Sequence, residues 1–197
     1  MADDKEKISF SNRNPKPGVD KLFFKRWSPR SFVKSDISKK TLELIFDSAR
    51  WSPSCYNEQP WTFLTSTEKS FDLFLDKLVD QNKIWAKNCS LIGFIIANRD
   101  FSFNGKENLW SEFDCGAAWM ALALAVSKVG LYAHAMAGIN KESVYRDFSI
   151  DRKKYSVVCG FAIGVIGWRE NLPVSLQERE VPTPRKALDE IWKRDKF

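Results

Sequence analysis

The stretch WSPSCYNEQPWTFLTST, residues 51–67, changes character halfway along. Residues 51–61 crowd two tryptophans, two prolines, a cysteine, a tyrosine, an asparagine and a glutamine together. A loop that only turned the chain would need Pro, Asn and Ser, and would gain little from massed aromatics and amides. This composition suits a loop that holds something flat with polar edges. From Trp61 the residues alternate and include β-branched threonines, the pattern of a strand. Upstream, Leu42, Ile45, Phe46 and Ala49 recur at helical spacing behind the N-cap candidates Ser35 and Asp36, so a helix should enter the loop and stop before Pro53.

Working outward, Phe71, Phe74, Leu75, Leu78 and Val79 form an amphipathic pattern that predicts one helix from Ser70. LIGFIIAN (91–98) is a continuous apolar run of strand length, expected to be covered on both faces. A polar loop carrying Phe101, Phe103 and Trp110 leads to residues 113–129, an Ala-rich helix apolar nearly all round, with Gly130 placed as its C′ residue. The small residues at its start allow another helix to come close, and a second copy of the same helix is one candidate. YSVVCGFAIGVIG (155–167) reads as a third strand, and residues 168–197 as an extended arm closed by a short helix near Ala187–Trp192. Residues 1–20 are polar, with Asn-Pro and Pro-Gly pairs, and read as a flexible N-terminal arm; order is expected from about Leu22. Helices and buried strands mixed in this order indicate one α+β domain over residues 21–197, a three-layer α-β-α sandwich.

The 197 residues are enough to bury a core without disulfides or metals. Cys55, Cys89, Cys115 and Cys159 contain no C-x-x-C pair and are expected as separate reduced thiols. His134 is the only histidine and has apolar flanks, so a multi-histidine metal site is excluded and a packed imidazole is expected. The longest apolar run is too short for a membrane span, and MADDKEKISF lacks the apolar core of a signal peptide, which points to a cytoplasmic protein. The net charge of +6 permits an anionic partner, but the basic residues are dispersed, as on a solvated surface, and neither a nucleic acid nor a membrane is expected. KRWSPRSF (25–32) sets Arg26, Ser28 and Arg30 where two guanidinium groups and a hydroxyl could grip a phosphate; Arg185, in TPRKALDE, is a second anion ligand candidate. Neither a P-loop nor a G-x-G-x-x-G fingerprint is present.

In order, R-x-S-x-R-x-F, a helix ending in AR-W-S-P-S, N-x-Q-P-W-x-F, D-x-G-A-A opening an Ala-rich helix, a strand ending AIG, and a late P-R-K-x-L-x-E resemble the nitroreductase family of FMN-dependent oxidoreductases. The resemblance covers about Arg26 to Ile191 and is most specific in SPSCYNEQPW. It implies a mostly antiparallel central sheet and an intertwined homodimer with FMN at the interface. It assigns Arg26, Trp27, Ser28 and Arg30 to the FMN phosphate and ribityl chain, with Arg30 reaching the N1 edge of the ring, and Arg185 to the phosphate. Pro53, Ser54, Cys55 and Asn57 match the loop along the flavin, usually supplied by the partner subunit, with Gln59, Pro60 and Trp61 fixing that loop. Met136, Ala137 and Gly138 match the turn whose backbone N–H faces flavin N5, and Asn82 matches a flavin-edge amide.

Two departures stand out. Ala137 replaces an acidic residue common in relatives, and Trp85 stands where a lysine is usual, which shifts weight to Arg30. The resemblance implies ping-pong reduction of nitroaromatic, quinone or related small acceptors by NADH or NADPH, with no side-chain acid or base required. The two departures leave open a second reading, a non-catalytic FMN storage or sensing module. Phe101, Phe103 and Trp110 either form a lid or anchor a long connection.

Overall fold

The structure, a computed structural model, describes residues 8–196. Its centre is LIGFIIAN, whose residues can hide from water only if both faces of the strand are covered. That strand, β3 (Leu91–Asn98), pairs antiparallel with β2 (Trp61–Thr65) on one side and with β5 (Tyr155–Ile166) on the other. β4 (Tyr132–Met136) and β1 (Phe32–Val33) both pair antiparallel with β5, completing a five-stranded sheet.

Alternation along β3 splits the core in two. Ile92, Phe94 and Ile96 pack with Phe71 and Phe74 of α3 (Phe71–Asp76), Trp85 of α4 (Asp80–Ala86) and Val144 of α6 (Lys141–Asp147). Leu91, Ile95 and Ala97 point the other way, into Ile45 and Ala49 of α2 (Lys39–Arg50) and Cys115, Leu122 and Val126 of α5 (Ser111–Lys128). Each large side chain fully buried this way contributes about 1.5–3 kcal/mol. The expected α+β three-layer sandwich is therefore what the chain forms.

α5 ends as its sequence implies, with Gly130 at φ +79° as the C′ residue. α2 starts later than expected, because Ser38 and not Ser35 or Asp36 caps it by accepting from the Thr41 N–H. The single helix expected from Ser70 to Val79 is broken. Val79 N–H donates to the Gly138 carbonyl, Asn140 N–H donates to Lys77, and Leu78 bridges Ile139, so long-range pairing overrides the helical pattern. Buried Lys77 holds the break in place by ion pairs to Asp76 and Asp147 at 3.0 and 2.5 Å. β4 and α6 were not expected from the sequence.

The polar arm read over residues 1–20 lies outside the described residues as far as residue 7. From residue 8 it leads to α1 (Lys21–Lys25), capped by Asp20. At the other end, α7 (Val174–Gln177) and α8 (Leu188–Ile191) punctuate an otherwise extended segment. Asn12 Nδ2 donates to Pro182 O at 2.6 Å and Arg13 Nε to Thr183 O at 3.0 Å, so the two ends of the chain run together. Among the described residues no helix is long and apolar enough to cross a membrane.

Candidate functional site

RWSPR turns the chain from α1 into β1, and the Pro29 carbonyl at its centre is held by His134 Nδ1 at 2.8 Å. Since a carbonyl only accepts, Nδ1 carries the proton. Burial pushes the His134 pKa down to about 4, helped by Arg30 and Arg26, so the ring is neutral. It is the packed imidazole expected, tilted against Trp85 with centroids 4.7 Å apart. Trp85 is only 2% exposed and stacks on Phe32, so this position serves the core.

Around that support, Arg26, Trp27, Ser28, Arg30, His134 and Arg185 line one cavity of about 280 Å³. Arg13 and Arg179, which sequence reading passed over, line it too. Arg26 Nη1 donates to Ser28 Oγ at 3.2 Å. Arg13 donates through Nη1 to the carbonyls of Phe24 and Arg26 at 2.6 and 2.9 Å, so it pins α1 and the C-terminal segment to the same point. Trp27 is buried in the wall, with an indole N–H that has no partner among the described residues.

Among the described residues none of the five arginines forms a salt bridge. Burial and then Arg185 lower the Arg26 pKa, and burial, Arg185 and Arg26 lower that of Arg13, the signature of like charges crowded together. The nearby carboxylate, Glu180, is committed elsewhere, accepting from the N–H groups of Arg30 and Ser31 at 2.7 and 2.8 Å. Burial raises its pKa. Such a pocket is completed by an anion, and two guanidinium forks beside a hydroxyl suit a phosphate.

β4 leads from this pocket to the 136–138 turn. His134 and Gly138 are four residues apart on an extended chain, about 13 Å. The Gly138 carbonyl accepts from Val79 N–H and from Asn82 Nδ2, at 3.1 and 3.0 Å. The turn comes so close to α4 that a Cβ on Gly138 would lie 2.7 Å from Asn82 Nδ2 and 2.8 Å from Val79 Cγ2. Among the described residues neither Ala137 N–H nor Gly138 N–H has an acceptor. Met136 is buried in the core beneath the turn.

The 51–61 loop is built differently and lies elsewhere. Tyr56, Asn57 and Gln59 all have positive φ, at 51°, 56° and 53°. Left-handed conformations cost a non-glycine residue on the order of 1–3 kcal/mol and persist where surroundings enforce them. Here Gln59 N–H donates to Ser54 Oγ, Gln59 Nε2 to Asn57 O, and Cys55 N–H to Asp114 Oδ2 at 3.0 Å. Pro60 O accepts from Asn98 N–H and Trp61 pairs with Ala97, so Gln59, Pro60 and Trp61 do fix the loop. Pro53 is exposed and Ser54 and Cys55 partly so. Glu58 receives Ser102 N–H and Oγ, and Tyr56 makes edge contacts with Phe101 and Phe103, with centroids 5.7 and 5.6 Å apart. Phe101 and Phe103 thus anchor their connection to this loop, and Trp110 packs edge-on to Phe113.

Asn98 pairs with Tyr155 at one end of β5, while Phe32 pairs with Ile166 at the other. A strand of that length spans roughly 35 Å. Within one chain the aromatic loop and the arginine pocket therefore lie toward different ends of β5, the pocket's His134 pairing with Ala162.

The family model for the nitroreductase family matches residues 24–91. A crystal structure of an oxidoreductase containing FMN aligns with a TM-score of 0.89 at 35% identity, covering 100% of this chain and 98% of its own. A protein from Desulfovibrio desulfuricans, crystallised in complex with FMN, aligns with a TM-score of 0.71 at 20% identity, covering 93% and 99%. An enone reductase of a gut-bacterial fatty acid saturation metabolism aligns with a TM-score of 0.66 at 22% identity, covering 77% and 90%. The first is similar in sequence as well as in fold; the other two share the fold. Among curated proteins none matches.

Proposed function

This chain belongs to the nitroreductase family, as an FMN-dependent oxidoreductase, and from that premise we propose that it takes reducing equivalents from NADH or NADPH and passes them to nitroaromatic, quinone or related small acceptors. The observation that carries the reading is the cluster of arginines without carboxylate partners, joined by one short strand to a turn with free backbone N–H groups.

Arg26, Ser28, Arg30 and Arg185 bind the FMN phosphate and ribityl chain, and Arg13 and Arg179 add charge to the same pocket. FMN held there would supply the hydride chemistry between nicotinamide and acceptor. The Ala137 and Gly138 N–H groups would be the donors offered to the flavin ring, and because they are backbone groups the missing acidic side chain at Ala137 does not remove them. Asn82 holds the Gly138 carbonyl and so aims those N–H groups, which makes it a positioning residue. Arg30 places positive charge beside the pyrimidine edge, the task that Trp85 in the core does not share. No side chain of the pocket needs to exchange a proton, in keeping with a neutral His134.

Strand pairing sets the 53–57 loop toward the Tyr155 end of β5 and the pocket's His134 opposite Ala162, seven residues or roughly 23 Å along the strand, and we take the loop beside each flavin to belong to a second copy. We therefore assign a homodimer with two sites. α5 supports this by presenting exposed Phe113 and Met120 on either side of Gly116, where an added Cβ would meet nothing. The four free thiols support a cytoplasmic setting.

The test is the visible spectrum of dialysed protein, followed by anaerobic NADH or NADPH. Flavin bands that bleach are expected, and whichever donor bleaches them faster is the preferred one. Flavin that stays oxidised with both donors would instead support a storage or sensing module.

A further inference from the structure

A second and larger cavity, about 1100 Å³, opens on the far side of the arginine pocket, between residues 13–24 and 185–194. The two cavities share Arg13 and Arg185, so their walls meet at one pair of guanidinium groups. Arg13 spends Nε and Nη1 on backbone carbonyls and Arg185 spends Nη1 on Thr183 and Pro184. The Nη2 groups of both have no partner among the described residues.

Beyond that pair the lining mixes basic and aromatic residues with exposed aliphatic ones, Val19, Leu188 and Ile191. Lys16, Lys186 and Arg194 face a single lining carboxylate, Asp189, and none of the three is in a salt bridge among the described residues. Trp192 and Phe23 are 55% and 53% exposed, and the Arg194 guanidinium lies 4.6 Å from the Trp192 ring centroid. Unpaired cations beside partly exposed aromatic rings match a molecule that carries both a phosphate and a flat base.

We propose that this cleft binds an adenine nucleotide, its phosphate on Lys186 and the free side of the Arg13–Arg185 pair, its base on Trp192. The nucleotide is either the adenosine-phosphate half of a dinucleotide whose other end enters the flavin site or a free nucleotide; the phosphate and base chemistry is the same for both. The proposal rests on the FMN reading only for its neighbour across the shared arginines.

The experiment is calorimetric titration of 5′-AMP into FMN-loaded protein, repeated with Trp192→Ala and with the surface variant Lys186→Glu/Arg194→Glu, with flavin content read by absorbance. Saturable binding is expected, weakened about tenfold in each variant, with flavin content unchanged. Absence of binding, or binding equal in wild type and both variants, overturns the proposal. A matching rise in KM for NADPH at constant kcat identifies the dinucleotide as the source, and an unchanged KM with lost 5′-AMP binding identifies a free nucleotide. Trp192-dependent binding to a protein that holds no flavin would overturn the FMN reading and leave this one standing.

Discussion

The arginine pocket and the aromatic loop stand at opposite ends of β5 and are built on opposite principles. The pocket gathers residues more than a hundred positions apart, Arg13, Arg26, Arg30, Arg179 and Arg185, and among the described residues none of them forms a salt bridge. The loop takes left-handed backbone at three residues and is tied by its own Ser54 and Gln59 and by longer-range bonds of Cys55 with Asp114, Glu58 with Ser102 and Pro60 with Asn98. One region is incomplete without an anion. The other is already complete, and it offers shape and aromatic surface to something outside its own chain, with Tyr56 79% exposed.

The largest test of this contrast is to break the two ends in different chains. Arg26→Ala/Arg185→Ala alone should cut FMN affinity at least a hundredfold, since charge-assisted bonds contribute about 1.5–3 kcal/mol each, as read by fluorescence titration. Asn57→Ala on an otherwise intact chain should impair the site from the loop side. Co-expressing the two and isolating the mixed dimer should restore one full site in two, because one protomer's intact pocket then meets the other's intact loop. A mixed dimer no more able to hold flavin than its parents would mean that each chain builds its site alone.

Gly138→Ala comes next. Its Cβ would press on Asn82 and Val79, costing about 1–3 kcal/mol, so Tm should fall. Anaerobic reduction should slow while the phosphate end still retains FMN. Equal loss of retention and reduction would erase the distinction between pocket and turn.

The pH dependence of stability is of similar size. His134 titrates near 4 when folded and near its ordinary 6.5 when unfolded. The unfolded chain therefore binds the extra proton first as pH falls, so stability is full above about 6.5 and declines toward 4, by roughly 3 kcal/mol in all. Denaturant unfolding of His134→Gln should show a flatter profile over that window.

Smallest is Cys55→Ser. The thiol makes no side-chain hydrogen bond among the described residues, and the loop is held through its backbone N–H to Asp114. Flavin content and turnover should stay within about twofold of wild type, a surface-sized change.

What could be read from the chain follows the range of the interactions involved. Strands β3 and β5 and helices α2 and α5 were legible because burial writes itself as period and run length. β4 was not, since YAHAM has little β-branched content and is a strand only because Gly160 to Gly164 pair with it. The α3–α4 break was hidden for the same reason, being imposed by residues 138–140. In the site, Arg26, Ser28 and Arg30 announced themselves by proximity. Arg13 did not, because its partner Thr183 lies 170 residues away, and only the folded chain brings it beside the other arginines of the pocket. Arg179 gave no signal apart from its position beside Glu180.

Arg13 also sets an order of events during synthesis. The pocket needs residue 13 and residues 179–185 together, so it cannot close while the ribosome still holds the last tenth or so of the chain. The sheet and both helical layers, finished by Ile166, can form before then. On the proposed assignment of the phosphate to this pocket, cofactor capture is the final act of maturation, and a chain halted short of Arg185 should carry a finished core that does not retain flavin.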